Sequence, residues 1–166
     1  MVTVSYMNRQ ISVKKYIEDA LRASRLAVLA TESDGQPHAS LIAITPVGGF
    51  RQLIFVTYRN TRKFDNLVHN SKVAVLIQGE DLYNSSQQKS FALTAFGTAR
   101  EILTSEHEDA LPEHLKRHPD LENFMYEKDA ALVLINVDTY QLVRGIDNVS
   151  WWSVGDLENS SSMVAF

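Results

Sequence analysis

Residues 57 to 63 read Thr57-Tyr58-Arg59-Asn60-Thr61-Arg62-Lys63, which gathers two threonine hydroxyls and three cations in one short stretch. An apolar run, Leu53-Ile54-Phe55-Val56, leads into it, and an amphipathic segment, Phe64-Asp65-Asn66-Leu67-Val68, follows. The pattern predicts a strand ending at Thr57 and a short helix capped by Thr61. A helix start carries about half a positive charge and unpaired N–H donors, so it favours an anion. Arg62 and Lys63 in the first turn oppose that dipole, and an arriving phosphate resolves the conflict. These residues are a candidate phosphate site, and a phosphorylated cofactor is the ligand they imply.

Other reactive side chains carry less. His114 and His118 are four residues apart, a spacing that a helix brings together. Lys116, Arg117 and Pro119 beside them predict a fraying helix end and no metal site. His38, next to Pro37, reads as a surface or hydrogen-bonded strand residue, and His69 and His107 have no metal-ligand spacing. Glu106, Glu108 and Asp109 suit a solvated first turn rather than an acid/base pair. Ser40 and Ser90 lack the partners of a nucleophilic triad. Of the adjacent indoles Trp151 and Trp152, one must face outward if they lie on a strand. Exposed indoles often anchor interfaces; a core residue with an exposed neighbour is the equal alternative.

The elements that position these groups follow from periodicity. Ser12 can cap a helix to about Ser24, with Val13, Ile17, Ala20 and Leu21 forming one apolar stripe. Leu26–Thr31 is a short apolar strand, Asp34-Gly35 a tight hairpin turn, and His38–Thr45 the returning strand, closed by Pro46 and Gly48-Gly49. Leu53–Thr57 makes the third strand and Val73–Gln78 the fourth. Gly79 to Lys89 reads as a mobile loop. Ser90–Ile102 is a long strand with a bend or bulge at Gly97. Thr104–Leu115 reads as helical, and Ala130–Val137 with Tyr140–Arg144 as a last strand pair. Short connections between the first three strands exclude most doubly wound sheets. The expected fold is mainly β, an antiparallel barrel with flanking helices.

Composition bounds the rest. The 166 residues, 45% hydrophobic and 22% charged, fit one domain, 1–166, with ends at 1–10 and 158–166 that are expected to be flexible. A net charge of −4 argues against nucleic acid as a partner. The absence of cysteine removes disulfides, thiolate metal sites and a cysteine nucleophile, and fits a reducing compartment. No apolar run approaches the roughly 18 to 20 residues that cross a bilayer, and the first residues lack a leader pattern. A cytoplasmic protein with no membrane partner is the expectation.

The order of helix, strand, Asp-Gly hairpin, Pro37-His38-Ala39-Ser40 strand, Gly-Gly turn and Phe55-Val56-Thr57…Thr61-Arg62-Lys63 resembles the flavin-binding split barrels related to pyridoxamine 5′-phosphate oxidase. The likeness runs on through Asn70 and Val73-Ala74-Val75, and more loosely to Trp152. It implies a split β-barrel that holds FMN at a homodimer interface. Arg62 and Lys63 would then pair with the phosphate, and Thr57 and Thr61 would give hydroxyls to the phosphate or ribityl chain. Ser40, Leu41 and Ile42 would run beside the flavin ring, bonding its edge through backbone groups, with Trp152 against the ring or the partner. An FMN-dependent oxidoreductase acting on a small molecule is the function so implied. A non-catalytic FMN carrier or sensor is the alternative; an open cleft lined by Arg59, Arg144 and Trp152 would favour the enzyme.

Two departures set this chain apart from the oxidase itself. Its Arg-x-x-x-x-Lys substrate pattern falls on Leu41 and Pro46 here, and its C-terminal Arg-x-His pair has no counterpart between Asp147 and Phe166. Tyr140-Gln141-Leu142-Val143-Arg144-Gly145-Ile146 and Trp151 also resemble the closing strand of haem-utilisation split barrels, which makes haem the second cofactor expectation. Those proteins tend to carry their haem-ligating histidine in a C-terminal extension, and no histidine follows His118 here.

Overall fold

The computed structural model describes residues 11–81, 83, 90–145, 147–159 and 163–164. Strand β1 is Ile11–Ser12, and helix α1 is Val13–Ala23. Ser12 is the predicted cap, since its Oγ accepts the Lys15 N–H at 3.1 Å. Strands β2 (Leu26–Ser33) and β3 (Gln36–Ala43) form the hairpin, and Asp34 and Gly35 both take positive φ, as such a turn requires. Strands β4 (Thr45–Val47) and β5 (Gln52–Tyr58), helix α2 (Arg62–His69) and strands β6 (Lys72–Glu80) and β7 (Ser90–Ile102) follow. Helices α3 (Ala110–Arg117) and α4 (Glu122–Met125), strands β8 (Ala130–Arg144) and β9 (Val149–Ser153), helix α5 (Val154–Asn159) and strand β10 (Met163–Val164) complete the order. No helix among the described residues is long and apolar enough to cross a membrane.

The main sheet is antiparallel in the order β3-β2-β6-β7-β8-β5-β4, with β9 added on β8. Strands β3 and β4 stand at opposite ends of that order, yet only Ile44 separates them in sequence. The chain therefore leaves one edge of the sheet, bends at Ile44 and joins the other edge, which closes the barrel. This is a split barrel with flanking helices. A short ribbon of β1 and β10 lies beside it.

Alternation fills the interior. Leu29, Phe55, Val75, Leu93, Val133 and Ile135 point inward, and Tyr16, Ile17 and Leu21 of α1 and Phe64 and Leu67 of α2 join them in one cluster. Each fully buried side chain of this size contributes about 1.5–3 kcal/mol. A smaller cluster on the other face of β5 and β8 seats Ala110 of α3 against Ile54, Leu132 and Leu134. At Gly97 the β7–β8 register shifts, as predicted, and a Cβ there would meet Asn136 O at 2.0 Å.

Several expectations need correction. Ala130–Arg144 is one 15-residue strand rather than a pair, because its Asp138-Thr139 step stays extended against the β7 bulge and β9. The segment from Thr104 is not one helix: a 3₁₀ turn ends at Glu106 and α3 starts only at Ala110. The return strand bends at Ile44, so Thr45 pairs with β5 and not with β2. Helices α4 and α5 are additional elements; α5 occupies 154–159 and takes in Glu158 and Asn159 of the expected polar tail, because Leu157 is buried against the core. The loop expected from Gly79 to Lys89 starts later, because β6 continues to Glu80; its residues 82 and 84–89 and the flexible ends at 1–10, 160–162 and 165–166 lie outside the described residues.

Candidate functional site

Strand β5 delivers Thr57 to the inner side of the barrel, and the chain turns through Tyr58–Asn60 into α2. Arg59 N–H donates to Asp129 O at 2.9 Å and Asn60 N–H to Asp129 Oδ2 at 3.2 Å, so the turn is fastened to the start of β8. Thr61 has the extended backbone of a cap residue, but its side chain makes no cap bond. Its hydroxyl instead donates to Tyr58 O at 2.8 Å and lies 3.2 Å from Thr57 Oγ1. The first N–H of α2 to find a carbonyl is that of Asp65, on Thr61 O at 3.0 Å. The N–H groups of the first turn are thus left open, which is the arrangement that binds anions.

Charge sharpens the point. Among the described residues neither Arg62 nor Lys63 has a carboxylate partner. Asp65 is the one acid of the first turn, and its carboxylate lies 3.5 Å from His69 Nδ1. Arg59, the third cation of the stretch, is committed elsewhere. Its guanidinium is bound by Glu101, with Nε donating at 3.1 Å to Oε1 and 3.3 Å to Oε2, and by Lys128 O at 3.2 Å. The corner therefore offers two unpaired cations, not three.

Ser40, Leu41 and Ile42 lie on β3, which among the described strands pairs only with β2, so its second backbone edge is open. Leu41 is 65% exposed on the outer face, whereas Ile42 is buried in the core. Ser40 points inward across from Leu29, and its Oγ has no hydrogen-bond partner. His38, two residues earlier on the same face, has a buried Nδ1 without a partner, so it is neither the surface nor the satisfied histidine expected.

The outer face of the same sheet carries a short apolar row. Leu41, Val28 and Leu76 are successive cross-strand neighbours on β3, β2 and β6, and all three are exposed. The register continues through Thr94 and Gln141 to Trp151, which is 58% exposed and stacks on Phe96 at 5.4 Å. Trp152 faces the opposite way, packed on the core with Nε1–H donating to Ser150 Oγ at 2.9 Å. A cleft of about 640 Å³ beside Gln78, Gly79, Ala92 and Val143 opens near this face. Its lining does not include Arg62 or Lys63.

Arg144, expected beside a cofactor cleft, is an internal ion pair instead. Its Nη2 donates to Asp81 Oδ2 at 2.9 Å, the two side chains are 8% and 1% exposed, and its guanidinium lies 5.3 Å from the Tyr16 ring centroid. His114 and His118 do not fray: both are buried, against Thr45 and Ile44. No group of three or more metal-ligating side chains occurs among the described residues. The signal missed for these histidines was Leu111 and Ala110, which mark α3 as a packed helix rather than a solvated one.

A family model described as pyridoxamine 5′-phosphate oxidase matches residues 13–144. Solved structures with the same fold include a haem binding protein from Mycobacterium smegmatis, 18% identical with a TM-score of 0.76 over 92% of this chain. This chain spans only 62% of that protein's length. General Stress Protein 26 from Bacillus anthracis is 20% identical, with a TM-score of 0.63 over 87% of this chain and 100% of its own. A FAD-binding protein from Mesorhizobium loti is 15% identical, with a TM-score of 0.63 over 84% of this chain and 99% of its own. No curated protein sequence matches the chain.

Proposed function

The chain belongs to the pyridoxamine 5′-phosphate oxidase family, and from that premise we propose that it binds FMN and acts as a flavin-dependent oxidoreductase on a small molecule, at a cleft other than one lined by Arg59, Arg144 and Trp152, which are held by Glu101, Asp81 and the core. The observation that carries the reading is the pair of cations without a counter-ion among the described residues, Arg62 and Lys63, at a helix start whose side-chain cap is missing. A dianionic phosphate fits that corner: it accepts from the free N–H groups of α2 and neutralises both side chains. Thr57 and Thr61 stand beside it, with their hydroxyls already hydrogen-bonded to each other and to Tyr58 O.

The open backbone edge of β3 at Ser40–Ile42 is the place for the flavin ring, where N–H and C=O groups can hold its polar edge. Trp152 lies on β9, on the far side of β8 from that edge, and packs on the core. When bound, the flavin supplies hydride acceptance and the return of electrons to an acceptor. No side chain of the chain is assigned as general acid or base.

The exposed row Leu41–Val28–Leu76 and, beyond Thr94 and Gln141, Trp151 on Phe96 support a homodimer, since exposed apolar side chains grouped on one face mark an interaction surface. A phosphate corner that is an open shelf on one protomer fits a pocket completed by a second. Leu41 where the oxidase carries arginine, and Pro46 where it carries lysine, argue against pyridoxamine phosphate as the substrate. Haem has less support. His118 is engaged by Ile44 O and His114 is fully enclosed.

The absorption spectrum of the purified protein tests the cofactor directly. Two broad visible bands of an oxidised flavin are expected. A single intense Soret band, or binding of haem in preference to FMN on reconstitution, overturns the reading. If the bound flavin is not reduced by any nicotinamide or small organic donor, the carrier alternative replaces the enzyme.

A further inference from the structure

Helix α3 is held on the barrel by polar groups shut away from water. His114 is fully buried, and its Nδ1 shares a 2.8 Å hydrogen bond with Thr45 Oγ1. One turn later His118 is also buried, and its Nε2–H donates to Ile44 O at 2.9 Å. The two rings are 4.8 Å apart. Ile44 and Thr45 form the bend where β3 becomes β4, so both imidazoles grip the point at which the barrel closes.

We propose that the His114–His118 pair is a proton-operated latch: neutral imidazoles hold α3 against the β3–β4 bend, and their protonation releases the helix. The geometry supplies the reason. An imidazolium carries a proton on both nitrogens, and His114 Nε2 has no partner, so its N–H would be a buried donor without an acceptor. The bend and β4 offer only a carbonyl and the neutral Thr45.

Nearby charges also oppose a cation. Arg117 sits between the two histidines on α3, donating to the carbonyls of Leu21, Arg22, Ser24 and Ile44. Arg25, between α1 and β2, reaches Arg117 O at 2.8 Å. Asp120, in the turn after α3, pulls the other way on His118. Glu113, Lys116 and Arg117 of α3 with Glu18 and Arg22 of α1 line the adjoining cleft, two acids against three bases.

Burial, reinforced by His118 and Arg117, pushes His114 down to about 4, and burial also lowers His118 against the pull of the Ile44 carbonyl. A lowered imidazole pKa means that the docked state binds fewer protons than the open one below pH 6.5. Docking is therefore intact above about 6.5 and weakens as pH falls toward 4. For His114 alone, the open-to-docked ratio rises roughly 20-fold from pH 7 to pH 5.

Amide hydrogen exchange on the full chain tests this independently of any cofactor. After correction for intrinsic rates, opening of residues 110–117 and 44–47 is expected to rise about 20-fold from pH 7 to pH 5, with β6 and β7 unchanged. In His114→Gln, which can keep a bond to Thr45 but does not titrate, the rise should shrink to a few-fold. If that variant does not fold, the ring C–H signals of wild-type histidines replace it, and one should titrate near 4. A pH-independent α3, an undiminished rise in the variant, a uniform rise across the barrel, or both imidazoles titrating near 6.5 overturns the proposal.

Discussion

Replacing Arg62 and Lys63 together by alanine separates the phosphate from the rest of a flavin. Each charge-assisted phosphate contact contributes about 1.5–3 kcal/mol, so two contribute about 3–6 kcal/mol. At 1.4 kcal/mol per tenfold, FMN affinity should fall by about 10² to 10⁴. The fold has little to lose. Neither side chain has an ion-pair partner among the described residues, and cations at the positive end of α2 cost rather than contribute helix stability. The midpoint of thermal unfolding should therefore stay put or rise slightly.

The assay is quenching of flavin fluorescence on titration with apoprotein, run with FMN and with riboflavin, which lacks the phosphate. The double variant should lose its preference for FMN while its riboflavin affinity is unchanged. Arg59→Ala, whose side chain is already held by Glu101 and Lys128 O, should weaken FMN by less than about tenfold, because its charge is already satisfied. FMN binding that survives the double substitution, or that falls in step with riboflavin, refutes the phosphate corner.

Three further outcomes are expected. Leu76→Arg places a charge amid the exposed row with Val28 and Leu41; at 38% exposure it should leave the protomer folded and abolish the dimer in sedimentation velocity, and a persisting dimer would move the interface elsewhere. Gly97→Ala puts a Cβ 2.0 Å from Asn136 O, so urea unfolding should show a loss above about 2 kcal/mol, and a neutral result would contradict the bulge geometry. Arg144→Met strands the buried Asp81 carboxylate and should cost about 3–5 kcal/mol by denaturant titration, with much of it recovered in Arg144→Met/Asp81→Leu; equal instability of both variants would show that packing rather than charge is at stake.

The barrel was legible because its strands alternate cleanly and its turns are spelled out in residue types. Asp34-Gly35 dictates positive φ at both positions, Ser12 marks a helix start, and Gly97 marks the one place in β7 where no side chain fits. The corner at Thr57–Lys63 was legible for the same local reason. What failed depended on partners far along the chain. Arg59 and Arg144 looked available until Glu101 of β7 and Asp81, just after β6, arrived. Thr61 has the composition of a cap, but the Tyr58 carbonyl takes its hydroxyl. His114 and His118 sat between charged neighbours and a proline, and only tertiary docking on Ile44 and Thr45 buries them. The bend at Ile44 has no turn residue to announce it.

Strand β8 has a consequence for how the chain is made. It bonds to β7, β5 and β9, and the Gln52 side chain on β5 meets Asn136 on β8 across 84 residues. Until residues 130–144 leave the ribosome, β5 has, among the described strands, only the three-residue β4 to pair with, and the nascent chain is an unclosed sheet with its lining bared. Such late, distant pairing slows folding and prolongs exposure of sticky surface. Truncated translation products ending before residue 130 should therefore be clients of chaperones and proteases rather than smaller working barrels.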